Sequence, residues 1–160
     1  MIVIVCVDDE FGMLFNQRRQ SRDCVLTEDI LKTVGDKRLL IDEFSKTLFL
    51  RDSAHGDGTV QTDSSFLGDS MPLDGSACKN LVVSENLLSD AADGDFCFVE
   101  DKEIKPYMQK IEQLIIYKWN RSYPSDFKLD VSLLEGFHLK SATDFKGNSH
   151  EKITKEVYVR

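Results

Sequence analysis

Long apolar runs are the first thing missing from this 160-residue chain. Its opening "MIVIVCV" is apolar for only seven residues, has no basic flank and runs straight into "DDE". That is too short for a signal peptide or a membrane span, so no membrane partner is expected and the stretch reads as a buried strand. Cysteine is sparse. Cys6, Cys24, Cys78 and Cys97 form no CxxC pair, and Cys6 and Cys97 sit inside apolar runs. Reduced, partly buried thiols of a cytoplasmic protein fit this pattern. The three histidines, His55, His138 and His150, are scattered, and no Cys/His spacing points to zinc, so no metal is expected. Neither a Walker loop nor a Ser-His-Asp set is recognisable. Positive charge is also short: 20 Lys and Arg face 28 Asp and Glu, for a formal charge of −8. Broad nucleic-acid binding needs clustered positive charge and is not expected.

What is present suits one globular domain spanning 1–160. Hydrophobic content is 41% and charged content 30%, and about two-thirds of the unfolded surface can be buried at this length. The β-branched run 2–7 predicts a central strand covered on both faces. "TEDILKTVG" predicts a helix beginning at Thr27 or as early as Asp23 and closed by Gly35. "RLLI" (38–41), "NLVV" (80–83), "FCFV" (96–99) and "LIIYKW" (114–119) predict further strands. "EFSKTLFL" (43–50), "SENLLSDA" with Ser84 as its cap, and "KEIKPYMQKIEQ" with Ile104, Met108 and Ile111 on one stripe predict helices. The tail, "FKLDVSL", "FHLKSATDF" and "ITKEVYVR", predicts antiparallel strands. Residues 52–76 hold five Asp, five Ser, four Gly, two Thr and one Pro, so 17 of 25 residues are loop formers. They predict a flexible insertion, and their aspartates lack calcium-loop spacing.

Strands alternating with helices predict an α/β fold with a mostly parallel sheet, whose ligands bind at the C-terminal edge of the strands. Two segments leave strands at that edge. Arg18, Arg19 and Arg22, with Gln20 and Ser21, could hold phosphate or carboxylate groups, or could pair with the protein's own Asp8, Asp9, Glu10, Glu100 or Asp101. Trp119, Asn120, Arg121 and Tyr123 could stack on a nucleobase or pterin-like ring, or form a capped turn with Trp119 in the core. "GNSHEK" (147–152) reads as a hairpin loop in which His150 has no identifiable partner.

This element order resembles the dihydrofolate reductase fold. "VIVCVDDEFGMLFN" resembles that family's opening strand, "KRLLIDEFSKTLF" its next strand and helix, and "DFCFVEDKEIKPYMQKIEQLIIYKW" its late strand-helix-strand unit. The strand after Gly136 and the final "EVYVR" resemble its antiparallel C-terminal hairpin. The active-site signatures depart. "QRRQSRD" stands where the family has Pro-Trp, and the catalytic carboxylate aligns with Leu26, near Glu28 and Asp29. "DEFS" (42–45) replaces Gly-Arg-x-Thr, and Glu100-Asp101 replaces the Gly-Gly that lets a dinucleotide pyrophosphate approach a helix N-terminus. The resemblance therefore implies the fold but disfavours NADPH, and no cofactor is expected.

The motifs "RRQSRD" (18–23), Trp119–Asp126 as "WNR-YP-D", and Ser149–Tyr158 as "SHEKITKEVY" also resemble a group of small bacterial proteins, mostly from Firmicutes. These often carry the label ribonuclease Z, a metallo-β-lactamase-fold nuclease with a His-x-His-x-Asp-His motif. That motif is absent here, so an RNA-processing nuclease rests on the label alone. The expected function is binding of a small anionic or nucleotide-like ligand. A reductase with a remodelled site and a protein-interaction module are the alternatives.

Overall fold

The structure is a computed structural model that describes residues 1–49 and 80–160. The expected insertion at 52–76 lies outside the described residues. A seven-stranded sheet forms the centre. In chain order its strands are β1 (Ile2–Val7), β4 (Leu39–Ile41), β5 (Leu81–Val83), β6 (Phe96–Phe98), β7 (Gln113–Lys118), β9 (His138–Phe145) and β10 (Ile153–Val159). They lie in the order β5-β4-β6-β1-β7-β10-β9. All pairings among β5, β4, β6, β1 and β7 are parallel, and β10 runs antiparallel to both β7 and β9. A smaller antiparallel sheet joins β3 (Arg18–Arg19), β2 (Gly12–Phe15) and β8 (Phe127–Lys128).

Alternation along β1 builds two cores. Val3, Val5 and Val7 face one side with Leu40, Leu114 and Ile116. Ile2 and Ile4 face the other with Leu39, Ile41, Phe96 and Ile115. This is the period-2 rule acting on a strand buried on both faces. Helices α1 (Cys24–Val34) and α2 (Glu43–Phe49) cover the second face through Leu26, Ile30, Val34 and Phe49. The short α3 (Leu87–Asp90) and two 3-10 turns, Lys105–Lys110 and Val131–Gly136, cover the first. Each predicted strand from 2–7 to 114–119 therefore appears, within a residue of its expected ends.

The helix boundaries carry the corrections. Helix α1 takes the earlier start, because Asp23 is extended (φ −149°) and its carboxylate accepts the Val25 N–H at 3.0 Å. Gly35, at φ 57°, supplies the left-handed stop. Ser84 does not cap α3. It accepts the Asn86 N–H and donates to Asp90. The Ile104 and Ile111 side chains do pack in the core, but they flank a 3-10 turn rather than riding on an α-helix. In "FKLDVSL" only Phe127–Lys128 is strand, because Asp130 caps the 3-10 turn through the Ser132 N–H. Among the described residues no helix is long and apolar enough to cross a membrane.

Candidate functional site

The C-terminal edge of the sheet is closed by four carboxylates, each held by donors. Asp8 follows β1 and is buried. It accepts from the Gly12, Glu10 and Tyr123 N–H groups at 2.7, 2.9 and 3.1 Å and from Gln20 Nε2 at 3.0 Å. Burial alone would raise its pKa, but these four bonds together hold it below the ordinary value. Asp42 caps α2 through the Ser45 N–H at 2.8 Å and pairs with Lys102 at 3.3 Å. Asp101 lies beside Asp42, also pairs with Lys102, and has its pKa raised, first by desolvation and then by Asp42.

Glu100 follows β6 and takes up one of the three arginines. Arg19 Nε and Nη2 meet its two carboxylate oxygens at 2.9 and 3.0 Å. The same guanidinium donates to Thr47 Oγ1 and to the Phe44 carbonyl, and lies 4.6 Å from the Phe44 ring centroid. Ser45 Oγ donates the third bond to Glu100 at 2.8 Å. With side-chain exposures of 17% and 8%, Arg19 and Glu100 form a largely buried bidentate pair tying the β2–β3 hairpin to the end of β6, while Phe44, Thr47 and Ser45 join α2 to it. Burial still raises the Glu100 pKa, against the pull of Arg19 and Ser45.

The hairpin that presents Arg19 turns at Asn16 and Gln17, both at positive φ (50° and 59°), a type I′ geometry matched to strand twist. Arg18 is exposed in β3 opposite Phe15, and Arg22 is exposed beyond it. Among the described residues neither side chain is in an ion pair. Arg121 is exposed as well and donates only a long bond, 3.4 Å, to the Ser149 carbonyl.

The two segments do converge, through a third that sequence reasoning left without a partner. His150, 3% exposed, stands between them. Its Nδ1 is 3.1 Å from Asp23 Oδ2, and its Nε2 is 3.1 Å from Ser21 Oγ and 3.3 Å from Tyr123 OH. Trp119 stacks on the imidazole, with centroids 4.7 Å apart and planes at 29°. Asp23 also accepts the Asn148 N–H at 2.9 Å, the Ser149 N–H at 2.8 Å and Ser149 Oγ at 3.2 Å. Burial raises the Asp23 pKa and these donors overcome it, so the carboxyl is held below its ordinary value. Asn120 serves the same closure, at φ 53°, by donating to the Lys152 carbonyl and Thr154 Oγ1 on the β10 side.

Gly147 is required by this arrangement. A Cβ there would stand 2.5 Å from Asp23 Oδ2 and 2.7 Å from Ile153 Cδ1. Gly147→Ala should therefore push the 147–150 loop off Asp23 and cost about 1–3 kcal/mol. Denaturant unfolding of the variant measures that loss.

A cavity lies beneath the arginine segment, lined among others by Gln20, Ser21, Arg22, Asp23, Phe98 and Trp119. It leaves about 20 Å³ for water centres, roughly one molecule's worth. Arg18, Asn120, Arg121 and Tyr123 do not line it. One lining residue carries an unsatisfied group: Gln20 Oε1 is buried and accepts no hydrogen bond among the described residues. The amide orientation is fixed, because Nε2 must face Asp8 Oδ2. A larger open groove of about 470 Å³ runs past Leu14, Gln17, Phe44, Asp101, Asp126 and Phe127.

Leu26, which aligns with the reductase carboxylate, is buried in the core, and Asp29 is bound by Tyr117 OH and Lys155 Nζ at 2.6 and 2.8 Å. Two carboxylates line the cavity, Glu100 and Asp23, the latter one helical turn before Leu26. Sequence reasoning missed Asp23, although it closes the "RRQSRD" motif.

No protein-family model and no curated protein matches the chain. Among solved structures it is similar to a dihydrofolate reductase from Enterococcus faecalis, complexed with NADP(H) and RAB-propyl. The two superpose with a TM-score of 0.58 over 99% of this chain and 95% of that one, at 8% identity. The fold is that of dihydrofolate reductase. An identity this low carries the fold alone, so activity must be argued from the side chains.

Proposed function

We propose that this dihydrofolate-reductase-like chain binds a small anionic or nucleotide-like ligand in the cavity beneath the arginine segment, without using NADPH. The observation that carries the reading is Gln20, which lines the cavity with Arg22 and whose buried Oε1 has no partner among the described residues. An unmade bond of this kind costs about 1–3 kcal/mol, and a ligand that donates to it recovers that cost. Arg22 adds positive charge, and Trp119 adds an aromatic wall. The open groove is a poorer anion site because Asp101 and Asp126 line it with no Lys or Arg, whereas Arg19 and Arg22 accompany Asp23 and Glu100 in the cavity lining. The ligand must move the exposed Arg22 side chain, since the cavity as it stands holds only about one water. NADPH is disfavoured because Glu100 and Asp101 fill the position after β6 with two carboxylates, and the Arg19 charge is already committed to Glu100.

A thermal-shift screen over nucleotides, phosphosugars, folates and NADPH tests this. A ligand present at 100 times its Kd should stabilise the fold by about 2.7 kcal/mol, or roughly 5–10 °C. Arg22→Ala should abolish that shift while leaving the melting temperature of the free protein within about 2 °C, because an exposed side chain contributes little. A shift produced by NADPH alone, and retained in Arg22→Ala, would promote the reductase reading instead.

A further inference from the structure

We propose that Ser21 is a nucleophile, activated by His150 and oriented by Asp23, that takes the acyl group from a small, negatively charged carboxylic ester. The proposal rests on the ligand reading above, because the ester must enter the cavity that Ser21 lines. The three residues meet in the order acyl-transfer chemistry requires. A carboxylate oxygen can only accept, so the 3.1 Å contact between Asp23 Oδ2 and His150 Nδ1 places a proton on Nδ1. In the neutral ring that leaves Nε2 as the acceptor, with Ser21 Oγ the nearer of its two hydroxyl neighbours at 3.1 Å and Tyr123 OH at 3.3 Å. Asp23 is itself anchored by the Asn148 and Ser149 N–H groups, and Trp119 stacks on the imidazole, so neither ring nor carboxylate is free to turn. A buried carboxylate fixing a histidine tautomer beside a hydroxyl is the logic of the serine hydrolase triad, which recurs on unrelated folds and is recognised by geometry. Ser21 and Asp23 lie two residues apart, but His150 comes more than a hundred residues later, which explains why no sequence pattern announces the set.

In the reaction, Ser21 Oγ attacks the ester carbonyl carbon while its proton passes to His150 Nε2. The carbon–oxygen bond to the alcohol breaks, and the alcohol leaves with that proton. Water then attacks the acyl-Ser21 ester, again giving its proton to His150 Nε2, which returns it to Ser21 Oγ as the carboxylic acid departs. Arg22, in the same cavity wall, offers positive charge to the anionic ester.

A fluorophosphonate probe tests the nucleophile without knowledge of the ester: Ser21 Oγ would bond to phosphorus and displace fluoride. Intact-mass and peptide mass spectrometry of the full chain should show one adduct, on Ser21. Ser21→Ala should abolish it. His150→Gln should slow labelling by about 10²-fold or more, the usual worth of a general base. Tyr123→Phe removes the other hydroxyl beside His150 Nε2, so the adduct should still form on Ser21. Folded wild-type protein that takes no adduct, takes it on Tyr123, or labels Ser21 equally fast as folded His150→Gln overturns the proposal. If His150→Gln does not fold, the wild-type and Ser21→Ala results decide alone. Absence of labelling with ligand-induced thermal shifts intact defeats the nucleophile and leaves the binding site standing. Loss of both defeats the site.

Discussion

Arg19→Ala should lower the melting temperature by roughly 10 °C or more. The substitution removes a bidentate partner from Glu100 and leaves a carboxylate of 8% exposure with only Ser45 as a donor. Stranding one half of a buried ion pair costs about 3–5 kcal/mol, and each kcal/mol is worth about 2–4 °C at this chain length. The pH dependence identifies the cause. Glu100 already has a raised pKa, chiefly from burial. Losing Arg19 raises it further, so the stability deficit should grow as pH climbs through the folded-state value and shrink towards 4.5, the ordinary glutamate value. The double variant Arg19→Met with Glu100→Leu should recover most of the loss, because it removes both charges together. A melting temperature unchanged in Arg19→Ala would mean that the pair contributes nothing and that Arg19 is available to a ligand.

Asp23→Asn should be comparably damaging, at about 3 kcal/mol or more, and for a different reason. Asp23 accepts from Val25, Asn148, Ser149 and His150. An amide replaces one acceptor oxygen with an NH2 group that faces donors, so at least one buried bond becomes a repulsion. The helix cap, the 147–150 loop and the imidazole then loosen together. Because Asp23 and Asp8 have lowered folded pKa values, their contribution is present above 3.8, the ordinary aspartate value, and is lost as pH falls through the folded values. Acid unfolding of the wild type should accordingly steepen below about pH 4, and Asp23→Asn should flatten that part of the curve. Equilibrium unfolding followed from pH 7 to pH 2 measures both effects. A profile for Asp23→Asn parallel to that of the wild type would show that the carboxylate is not held as an anion.

The sheet was legible in the sequence because burial on both faces leaves a dense β-branched signature, as in "IVIVCV" and "LIIYK". The short 3-10 turns were less so. Ile104 and Ile111 give an apolar spacing that suits an α-helix, and the backbone between them winds more tightly with the same side chains buried. The arginine segment divided in a way no local pattern shows. Arg19 is consumed by Glu100, 81 residues away, whereas Arg18 and Arg22 stay exposed. His150 reads as a lone loop histidine until Asp23, 127 residues earlier in the chain, is brought beside it. Motifs such as "RRQSRD" mark stretches that meet in the fold, but the pairing among them depends on strand order, which places the ends of β1, β7 and β9–β10 at one rim.

We propose above all that a ligand enters beneath the arginine segment. A crystal structure of the protein grown with whichever screened compound raises the melting temperature most tests it directly. The account predicts the compound between Arg22 and Trp119, with a donor group within about 3.2 Å of Gln20 Oε1. A compound seated instead in the groove beside Phe44, Asp101 and Asp126, with Gln20 Oε1 still unpartnered, would contradict it.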